Sequence, residues 1–304
     1  MLASLVVSGH RLRPIWRASI YLVLVLVALP IALSPVARWL WNSLQLQDSL
    51  NPASIAFSEA MMFVAALIAT AVFAWFERRR VDSYGLPLGR AFDAPTGEGL
   101  AAGIVVAGLA ALGMLALGGM QIHGFAGDSA TLTRAGLAWL GANIAVGIAE
   151  EFTFRGYLLQ TLARSIGFWP AALAVTALFV AMHYFFKPGE NVYDVITLAG
   201  LGLALCYSLL RTGTLWFAVG FHVAFDFMQF FVIGTPNGGQ VPVGRLFDVG
   251  FDGPAWLTGG TLGTEASVLM YPAIALLWLW IHWRYRGRNA WQSEADGNSV
   301  PRVD

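Results

Sequence analysis

Cysteine is almost absent from this sequence. The 304 residues contain one cysteine, Cys206, which lies within an apolar run. A single thiol excludes an intrachain disulfide and any zinc site built from cysteine pairs. The sequence also lacks a glycine-rich nucleotide-binding loop, an HExxH zinc motif and an obvious internal repeat. Any chemistry that the chain performs must therefore come from other side chains within its helices.

Charge is scarce as well. Charged residues make up 12% of the chain and hydrophobic residues 57%, with a mean hydropathy of +0.64. A typical soluble domain is about 25% charged. The formal net charge is zero, so no global field attracts nucleic acid. These values predict an integral membrane protein whose surroundings are the lipid bilayer and which binds no nucleic acid.

Long apolar runs predict the fold class. A helix needs about 20 apolar residues to cross about 30 Å of hydrocarbon, and eight segments meet this requirement. We therefore predict an all-α fold, a polytopic membrane helical bundle of about eight transmembrane helices. In the third segment Gly99 and Gly103 have GxxxG spacing, which favours close helix packing. The predicted spans are residues 17–40, 55–76, 98–120, 136–163, 170–186, 194–210, 214–233 and 267–283.

Arginines flank these spans in a consistent pattern. All of the flanking positions fall on one side of the membrane if eight helices alternate in direction. Because positive charge is enriched on the cytoplasmic side, we predict that both termini are cytoplasmic and expect the plasma membrane of a prokaryote. The flanking residues are Arg11, Arg13, Arg17, Arg78, Arg79, Arg80, Arg164, Arg211, Arg284, Arg286 and Arg288.

The predicted topology divides the chain into four parts. Residues 1–136 hold about three N-terminal membrane helices, and residues 137–233 hold a helical core with ionisable residues. Residues 234–266 form an extracytoplasmic loop, and residues 267–304 hold the last membrane helix and a polar cytoplasmic tail. The loop is long enough to be either a plain connection or a cap over the bundle.

Six ionisable residues interrupt the fourth, fifth and seventh spans. Each costs about 2.5–3.5 kcal/mol at the bilayer centre, so such residues are usually functional or paired inside a bundle. At about 1.5 Å per residue from the cytoplasmic ends, Glu150, His183 and His222 lie at depths of roughly 21, 20 and 17 Å. This common depth favours one shared site over a polar network that only fixes helix packing. The six residues are Glu150, Glu151, Arg155, His183, His222 and Asp226.

Helical spacing predicts partners within this set. Glu151 and Arg155 are four residues apart, so they share a helix face and can form an ion pair. Glu150 points about 100° away from Glu151, and we expect it to face a cavity. His222 and Asp226 are also four residues apart, which allows the carboxylate to orient the imidazole.

Residues beside the fifth span are interpreted more simply. Phe179 lies four residues before His183, and we expect its ring to form a wall of the site. Lys187, Glu190 and Asp194 follow this span. We interpret these three as loop charges that border helices.

The motifs together resemble those of a known family. EEFTFR fits EExxxR, FVAMH fits FxxxH and HVAFD fits HxxxN/D, in this order on successive apolar segments. The ordered triple, over about residues 140–233, is similar to that of the CPBP intramembrane endopeptidases. These include the type II CAAX prenyl proteases and the bacteriocin-processing or self-immunity proteins called Abi. The resemblance implies a helical bundle around a conical cavity, open toward the membrane or the cytoplasm, in which a peptide bond is hydrolysed.

The resemblance also implies roles for the matching residues. Glu150 would be the base that activates water, His183 would help to hold that water, and Glu151 and Arg155 would set the geometry around it. The family is described both as metalloproteases and as glutamate proteases, and no cofactor is certain. A zinc ion on Glu150, His183 and His222, with one open position, is the alternative to a metal-free mechanism.

One motif position departs from many family members. The resemblance implies that His222 and Asp226 stabilise the oxyanion of the tetrahedral intermediate, but many members have asparagine where this chain has Asp226. An amide can donate a hydrogen bond to an oxyanion, whereas an ionised carboxylate cannot. We therefore interpret Asp226 as a residue that orients His222.

These observations predict an intramembrane endopeptidase. Its expected substrate is a peptide or protein with a hydrophobic or lipidated segment. Two other functions could use the same residues. One is a proton- or ion-coupled transporter, because mid-membrane carboxylates and histidines also build ion sites. The other is a catalytically silent membrane scaffold or immunity protein.

Overall fold

Eight helices form a membrane bundle. The computed structural model describes residues 7–8 and 11–290, and residues 291–304 of the predicted polar tail lie outside this part. Eight helices among the described residues are long and apolar enough to cross a membrane, which confirms the predicted fold class. They are α1 (Pro14–Ser43), α2 (Pro52–Glu77), α3 (Ala94–Ala116), α4 (Ser129–Ile166), α5 (Phe168–Phe186), α6 (Val192–Thr212), α7 (Trp216–Ile233) and α8 (Gly260–Arg284).

Local sequence signals set the helix ends. The side chain of Asn51 accepts hydrogen bonds from two backbone N–H groups at the start of α2. Asp128 and Asn191 cap α4 and α6 in the same way, as expected for short polar side chains at this position. The third span begins and ends four residues earlier than predicted, because α3 runs from Ala94 to Ala116 and Gly118 then turns the chain with a φ of 76°.

Short strands add little sheet to the bundle. The antiparallel pair β3–β4 ties the connection between α3 and α4 to the loop before α8. The sequence analysis did not predict these strands, which lie outside the apolar spans. The strands are β1 (Val7–Ser8), β2 (Arg11–Leu12), β3 (Met120–Phe125) and β4 (Phe247–Phe251).

Glycines allow α3 and α7 to approach closely. A Cβ atom on Gly99 would lie 2.1 Å from the carbonyl oxygen of Phe217, and one on Gly103 would lie 2.4 Å from that of Phe221. Both distances are far below van der Waals contact, so these positions require glycine at the present helix separation. The predicted packing role of the GxxxG pair is confirmed. The contact positions α7, which carries two of the motif residues.

The other helices enclose α7 and α6. On its second side α7 packs against α4, which in turn packs against α2. The C-terminal part of α4 packs against α5, α5 against α6, and α6 against α8. Most of α7 and α6 is buried, whereas α1 is largely exposed to the surroundings of the bundle. The interior therefore lies along the motif-bearing helices.

Most arginines lie at one end of the bundle. There Glu77 accepts hydrogen bonds from the hydroxyl of Tyr157 at 2.7 Å and from that of Tyr84 at 2.8 Å. The same carboxylate pairs with Arg17 at 2.7 Å and lies 3.6 Å from Arg164. The arginine-rich segments thus converge on shared carboxylates, which keeps this end of the bundle closed.

Replacing Gly99 by alanine should destabilise the α3–α7 contact. Overpacking of this kind costs about 1–3 kcal/mol, so we expect a lower thermal midpoint for Gly99→Ala in detergent. Gly108 is the matched control, since it lies on the same helix with no atom within 4 Å of an added Cβ. Gly108→Ala should be neutral or stabilising by up to about 1 kcal/mol. Equal midpoints for the two variants would contradict the packing role.

Candidate active site

All six predicted site residues line one cavity. It has a volume of about 210 Å³ and is formed mainly by α4, α5, α6 and α7, with a contribution from α2. A liquid water occupies about 30 Å³, so the cavity can hold several waters or a short stretch of peptide. The six residues that it brings together are Glu150, Glu151, Arg155, His183, His222 and Asp226.

The first motif lies where α4 changes its winding. Glu151–Leu158 is π-helical, and Gly156 departs from helical geometry with a ψ of −116°. A second π-helical segment, Phe227–Ile233, begins directly after Asp226 in α7. Such segments are rare and often occur at functional sites, because they change the direction of side chains along an otherwise regular helix.

Glu151 and Arg155 form the predicted ion pair. Glu151 Oε1 and Arg155 Nη1 are 2.7 Å apart, and the two side chains are 0% and 2% exposed. Arg155 also donates to the backbone oxygen of Gly202 in α6 at 3.3 Å, and its guanidinium lies 5.5 Å from the ring centre of Phe179. The pair is therefore held between three helices and away from solvent.

His222 is oriented mainly by Glu151. Its Nδ1 lies 3.0 Å from Glu151 Oε1, the same oxygen that accepts from Arg155. Its Nε2 is directed to the cavity, 3.4 Å from Glu150 Oε2 and 3.6 Å from Asp226 Oδ2. Asp226 is thus near the imidazole, as its spacing predicts, but the short hydrogen bond that fixes the ring comes from α4. The role of Asp226 stays a prediction.

Glu150 has a free carboxylate oxygen in the cavity. Its side chain is 15% exposed, and its Oε2 is buried without a hydrogen-bond partner among the described residues. The nearest ring nitrogen, His222 Nε2, is 3.4 Å away. Because the side chain is partly exposed to the cavity, a water molecule there can approach the carboxylate without displacing a protein group.

His183 presents one nitrogen to the cavity. Its Nδ1 lies 3.0 Å from the backbone oxygen of Phe179. Because a carbonyl oxygen only accepts, Nδ1 must carry the hydrogen, which leaves Nε2 of the neutral ring as an acceptor. The ring of Phe179 is 4.3 Å from the imidazole centre and forms the expected wall of the site.

Glu59 is a cavity residue that the sequence analysis missed. It lies on α2 and lines the cavity together with Glu150 and Asp226. Its Oε2 is buried and has no hydrogen-bond partner within the described part of the chain. Its charge inside an apolar span was the available signal, but it lies 19 residues before Arg78, at a depth of roughly 28 Å, so the common-depth argument does not select it.

The interpretation of Lys187, Glu190 and Asp194 as loop charges is wrong. Lys187 Nζ lies 3.0 Å from Glu265, 3.4 Å from Glu190 and 3.5 Å from Asp194, and the Asp194 side chain is 0% exposed. Burial opposes the charged ammonium, but the surrounding carboxylates, Glu265 foremost, raise the pKa of Lys187 well above its ordinary value. These residues form a buried ionic cluster because the chain before α8 folds over them.

Residues 234–266, which include the 3-10 segment Gly260–Ala266 at the start of α8, form a cap. They contribute Asn237 and Glu265 to the lining of the cavity. The backbone N–H of Gly239 donates to the oxygen of Thr261 at 2.8 Å, which closes the loop on itself. Of the two alternatives for residues 234–266, the structure supports the cap.

The proposed zinc ligands do not fit a metal site. Among the residues that the structure describes, no group of three or more histidine, cysteine, aspartate or glutamate side chains is arranged to hold a metal ion. The alternative of zinc on Glu150, His183 and His222 is therefore not supported by the donor geometry, and no step below uses a metal.

Comparison with known families identifies the motif region. Residues 133–228 match the family model of the type II CAAX prenyl endopeptidase Rce1-like proteins. The matched segment contains all six site residues that converge on the cavity. Comparison with curated proteins and with solved structures gives no significant match. Over this segment, which is about a third of its length, the chain is therefore similar to the type II CAAX prenyl endopeptidases, and the match supports a membrane protease of this general type.

Proposed function

We propose that the chain hydrolyses peptide bonds within the membrane by means of a water molecule activated by Glu150. The observation that carries this proposal is the contrast between two adjacent glutamates. Glu151 is fully buried and paired with Arg155 and His222. Both glutamates keep one oxygen without a hydrogen-bond partner in the described part of the chain, but Glu150 has no arginine partner and its side chain is 15% exposed against 0% for Glu151. Of the two, Glu150 is therefore the one that a water molecule can reach and that can take a proton from it.

The first step of the proposed reaction is the attack of water. Glu150 removes a proton from a water molecule that also hydrogen-bonds to the free Nε2 of His183. The resulting hydroxide adds to the carbonyl carbon of the scissile peptide bond. A general base of this kind must lie within hydrogen-bond reach of the proton that it abstracts, and the two residues line the same cavity.

His222 is placed to stabilise the tetrahedral intermediate. Because Nδ1–H donates to the Glu151 carboxylate, Nε2 carries a hydrogen only when the ring is protonated, and in that form Nε2–H can donate to the oxyanion. Such a donor is effective because it is oriented before the charge develops and acts in a cavity with little water. Asp226 lies 3.6 Å from the same nitrogen, where it can balance the charge of a protonated ring.

Glu59 is the proposed second proton carrier. Five carboxylates line the cavity. Arg155 pairs with Glu151 and Lys187 pairs with Glu265, which leaves three carboxylates without a lysine or arginine partner. Several uncompensated charges in one apolar cavity are unfavourable, so the remaining carboxylates are expected to share a proton. Glu59 has no ion-pair partner among the described residues and can deliver this proton to the leaving amine when the C–N bond breaks.

The membrane environment limits the substrate. The site lies within eight apolar helices, so a substrate must present its scissile bond from a hydrophobic or lipidated segment. We propose such a peptide or protein as the substrate class. The plasma membrane of a prokaryote remains the proposed location, with both termini cytoplasmic as the arginines predict.

The substitution Glu150→Gln tests the proposed base. It preserves size but removes proton abstraction, and general base catalysis contributes about 10²–10⁴-fold. We expect cleavage to fall by at least about 10²-fold when purified protein is incubated with a library of lipidated and transmembrane peptides and the products are identified by mass spectrometry. Asp252→Asn, a matched carboxylate-to-amide change at an exposed residue outside the cavity lining, should keep full activity.

The same variant separates the proposed protease from the other two functions. A transporter would lose proton-coupled flux in Glu150→Gln and show no peptide cleavage in wild type. A scaffold would keep its function in the variant. Equal cleavage by folded wild-type and Glu150→Gln protein would reject Glu150 as the base.

The substitution Asp226→Asn tests the assignment of Asp226 as an orienting residue. Asparagine can still hydrogen-bond to His222 and can also donate to an oxyanion, so we expect substantial activity. Asp226→Ala, which removes both interactions, should be much less active. Complete loss of cleavage in a folded Asp226→Asn protein would show that this carboxylate has an essential role of its own.

The substitution Glu59→Gln tests the second proton carrier. We expect kcat to fall by about 10²-fold, the lower range for general acid–base catalysis, with little change in KM. The pH profile of kcat should lose the limb that depends on Glu59, while the thermal midpoint stays at the wild-type value. Asp252→Asn again serves as the matched control. A wild-type kcat and pH profile in Glu59→Gln would limit Glu59 to a packing role.

A further inference from the structure

The candidate active site opens at one end of the bundle. A cleft of about 490 Å³ shares Glu59, Glu150 and His183 with the inner cavity. Its other lining residues come from the α1–α2 connection, the α5–α6 connection and the cap. They are Asp48, Ser49, Lys187, Pro188, Asn237, Gly238 and Gln240.

The cleft also opens sideways between two helices. Met62 of α2 lies on one side of it, and Met182 and Phe186 of α5 lie on the other. Phe186 is among the most exposed apolar residues of the described chain, with 78% of its surface accessible. In a bilayer these side chains would contact lipid, so a membrane-anchored segment can reach the cleft from the lipid as well as from the surface.

The opposite end of the bundle carries most of the arginines. It consists of the α2–α3 and α6–α7 connections and the segment after α8, and these contact each other. The N–H of Leu215 donates to the oxygen of Gly85 at 2.7 Å, and Arg211 donates to the oxygen of Arg288 at 2.6 Å. The arginines at this end are Arg13, Arg17, Arg78, Arg79, Arg80, Arg90, Arg164, Arg211, Arg284, Arg286 and Arg288.

Basic residues are few at the end with the cleft. Arg38 lies near the end of α1, Arg134 and Arg245 lie in the segments around β3 and β4, and Lys187 is buried in its cluster of carboxylates. Positive charge near the ends of membrane helices is enriched on the cytoplasmic side. The arginine-rich end is therefore the cytoplasmic end, and the cleft lies at the other surface. This differs from the opening toward the cytoplasm that the family resemblance allows.

We infer that the active-site cleft opens at the non-cytoplasmic surface and the adjoining lipid leaflet, so that its substrates are membrane-anchored segments presented from that side. This inference rests on the proposed function for its substrate and on charge and geometry for its side. It excludes proteins that are lipidated on the cytoplasmic surface, unless the lipidated segment crosses the bilayer.

The charge of the cleft further restricts the class of segment that it can bind. Of the charged side chains that line it, Asp48, Glu59 and Glu150 are acidic, and Lys187 is already paired with three carboxylates. Acidic groups on a substrate would be repelled by the acidic groups of the cleft, which lowers the affinity for such a substrate. The cleft therefore favours an uncharged or cationic segment over one that carries acidic residues or a free terminal carboxylate.

Cysteine labelling decides the side of the cleft without any substrate. The native chain is a suitable background, because its single cysteine, Cys206, is buried. Gln240→Cys places a thiol at the exposed rim of the cleft, and Gly89→Cys places one in open space at the arginine-rich end. In right-side-out vesicles from a bacterial host, a membrane-impermeant maleimide should label Gln240→Cys directly and Gly89→Cys only after the vesicles are opened.

Cleavage then tests the substrate. The test uses a peptide segment that wild-type protein cleaves and that Glu150→Gln protein does not cleave. This segment is fused to a single apolar membrane span. In one version it is fused to the non-cytoplasmic end of the span, and in the other version to the cytoplasmic end. Co-expression should give cleavage of the first version and loss of cleavage in the second. Added glutamates in the segment should reduce cleavage, and added lysines should not.

The outcomes separate the two proposals. Labelling of Gly89→Cys in closed vesicles, or cleavage of the cytoplasmic version alone, would overturn the inferred side. Faster cleavage of the glutamate-containing segment would overturn the inferred charge preference. If no peptide were cleaved in a Glu150-dependent manner, the proposed function would fall together with its substrate, while the labelling pattern would still decide the side of the cleft.

Discussion

The buried ion pair between Glu151 and Arg155 is the interaction on which the site depends. Both side chains are almost fully removed from solvent, and removing one partner of such a pair costs about 3–5 kcal/mol because the other charge is left uncompensated. The oxygen that accepts from Arg155 also lies 3.0 Å from His222 Nδ1. One carboxylate thus links α4 to α7 and fixes the direction in which the second nitrogen of the imidazole faces the cavity.

Two adjacent glutamates acquire different chemistry from this arrangement. Glu151 has its charge compensated and its geometry fixed, so it is suited to orient other groups. Glu150 lies on a neighbouring face of α4, where the cavity meets it, and retains an oxygen without a partner among the described residues. The close approach of α3 to α7 at Gly99 and Gly103 holds His222 opposite these carboxylates, so helix packing determines which groups can react.

Sequence spacing predicted those features that are determined within one helix. The eight spans, the pair formed by Glu151 and Arg155 and the packing of the glycines follow from period, length and side-chain size. Spacing says nothing about which helices become neighbours, so it assigned the imidazole of His222 to Asp226 instead of Glu151. For the same reason, the burial of Lys187 was not predicted. Its partner Glu265 lies in the cap, 78 residues further along the chain.

The two ends of the bundle have different roles: one end ties helices together, and the other end holds the entrance to the cleft. At the arginine-rich end, Glu77 collects tyrosine and arginine donors from α1, α2 and α4, which ties these helices together. At the other end, the ionic cluster around Lys187 holds the cap to α5 and α6 and leaves α2 free of it. The helix α2 carries Glu59 and one wall of the cleft, and this wall is tied to the cap by other contacts, since the backbone N–H of Val243 donates to the oxygen of Leu50, just before α2, at 2.9 Å.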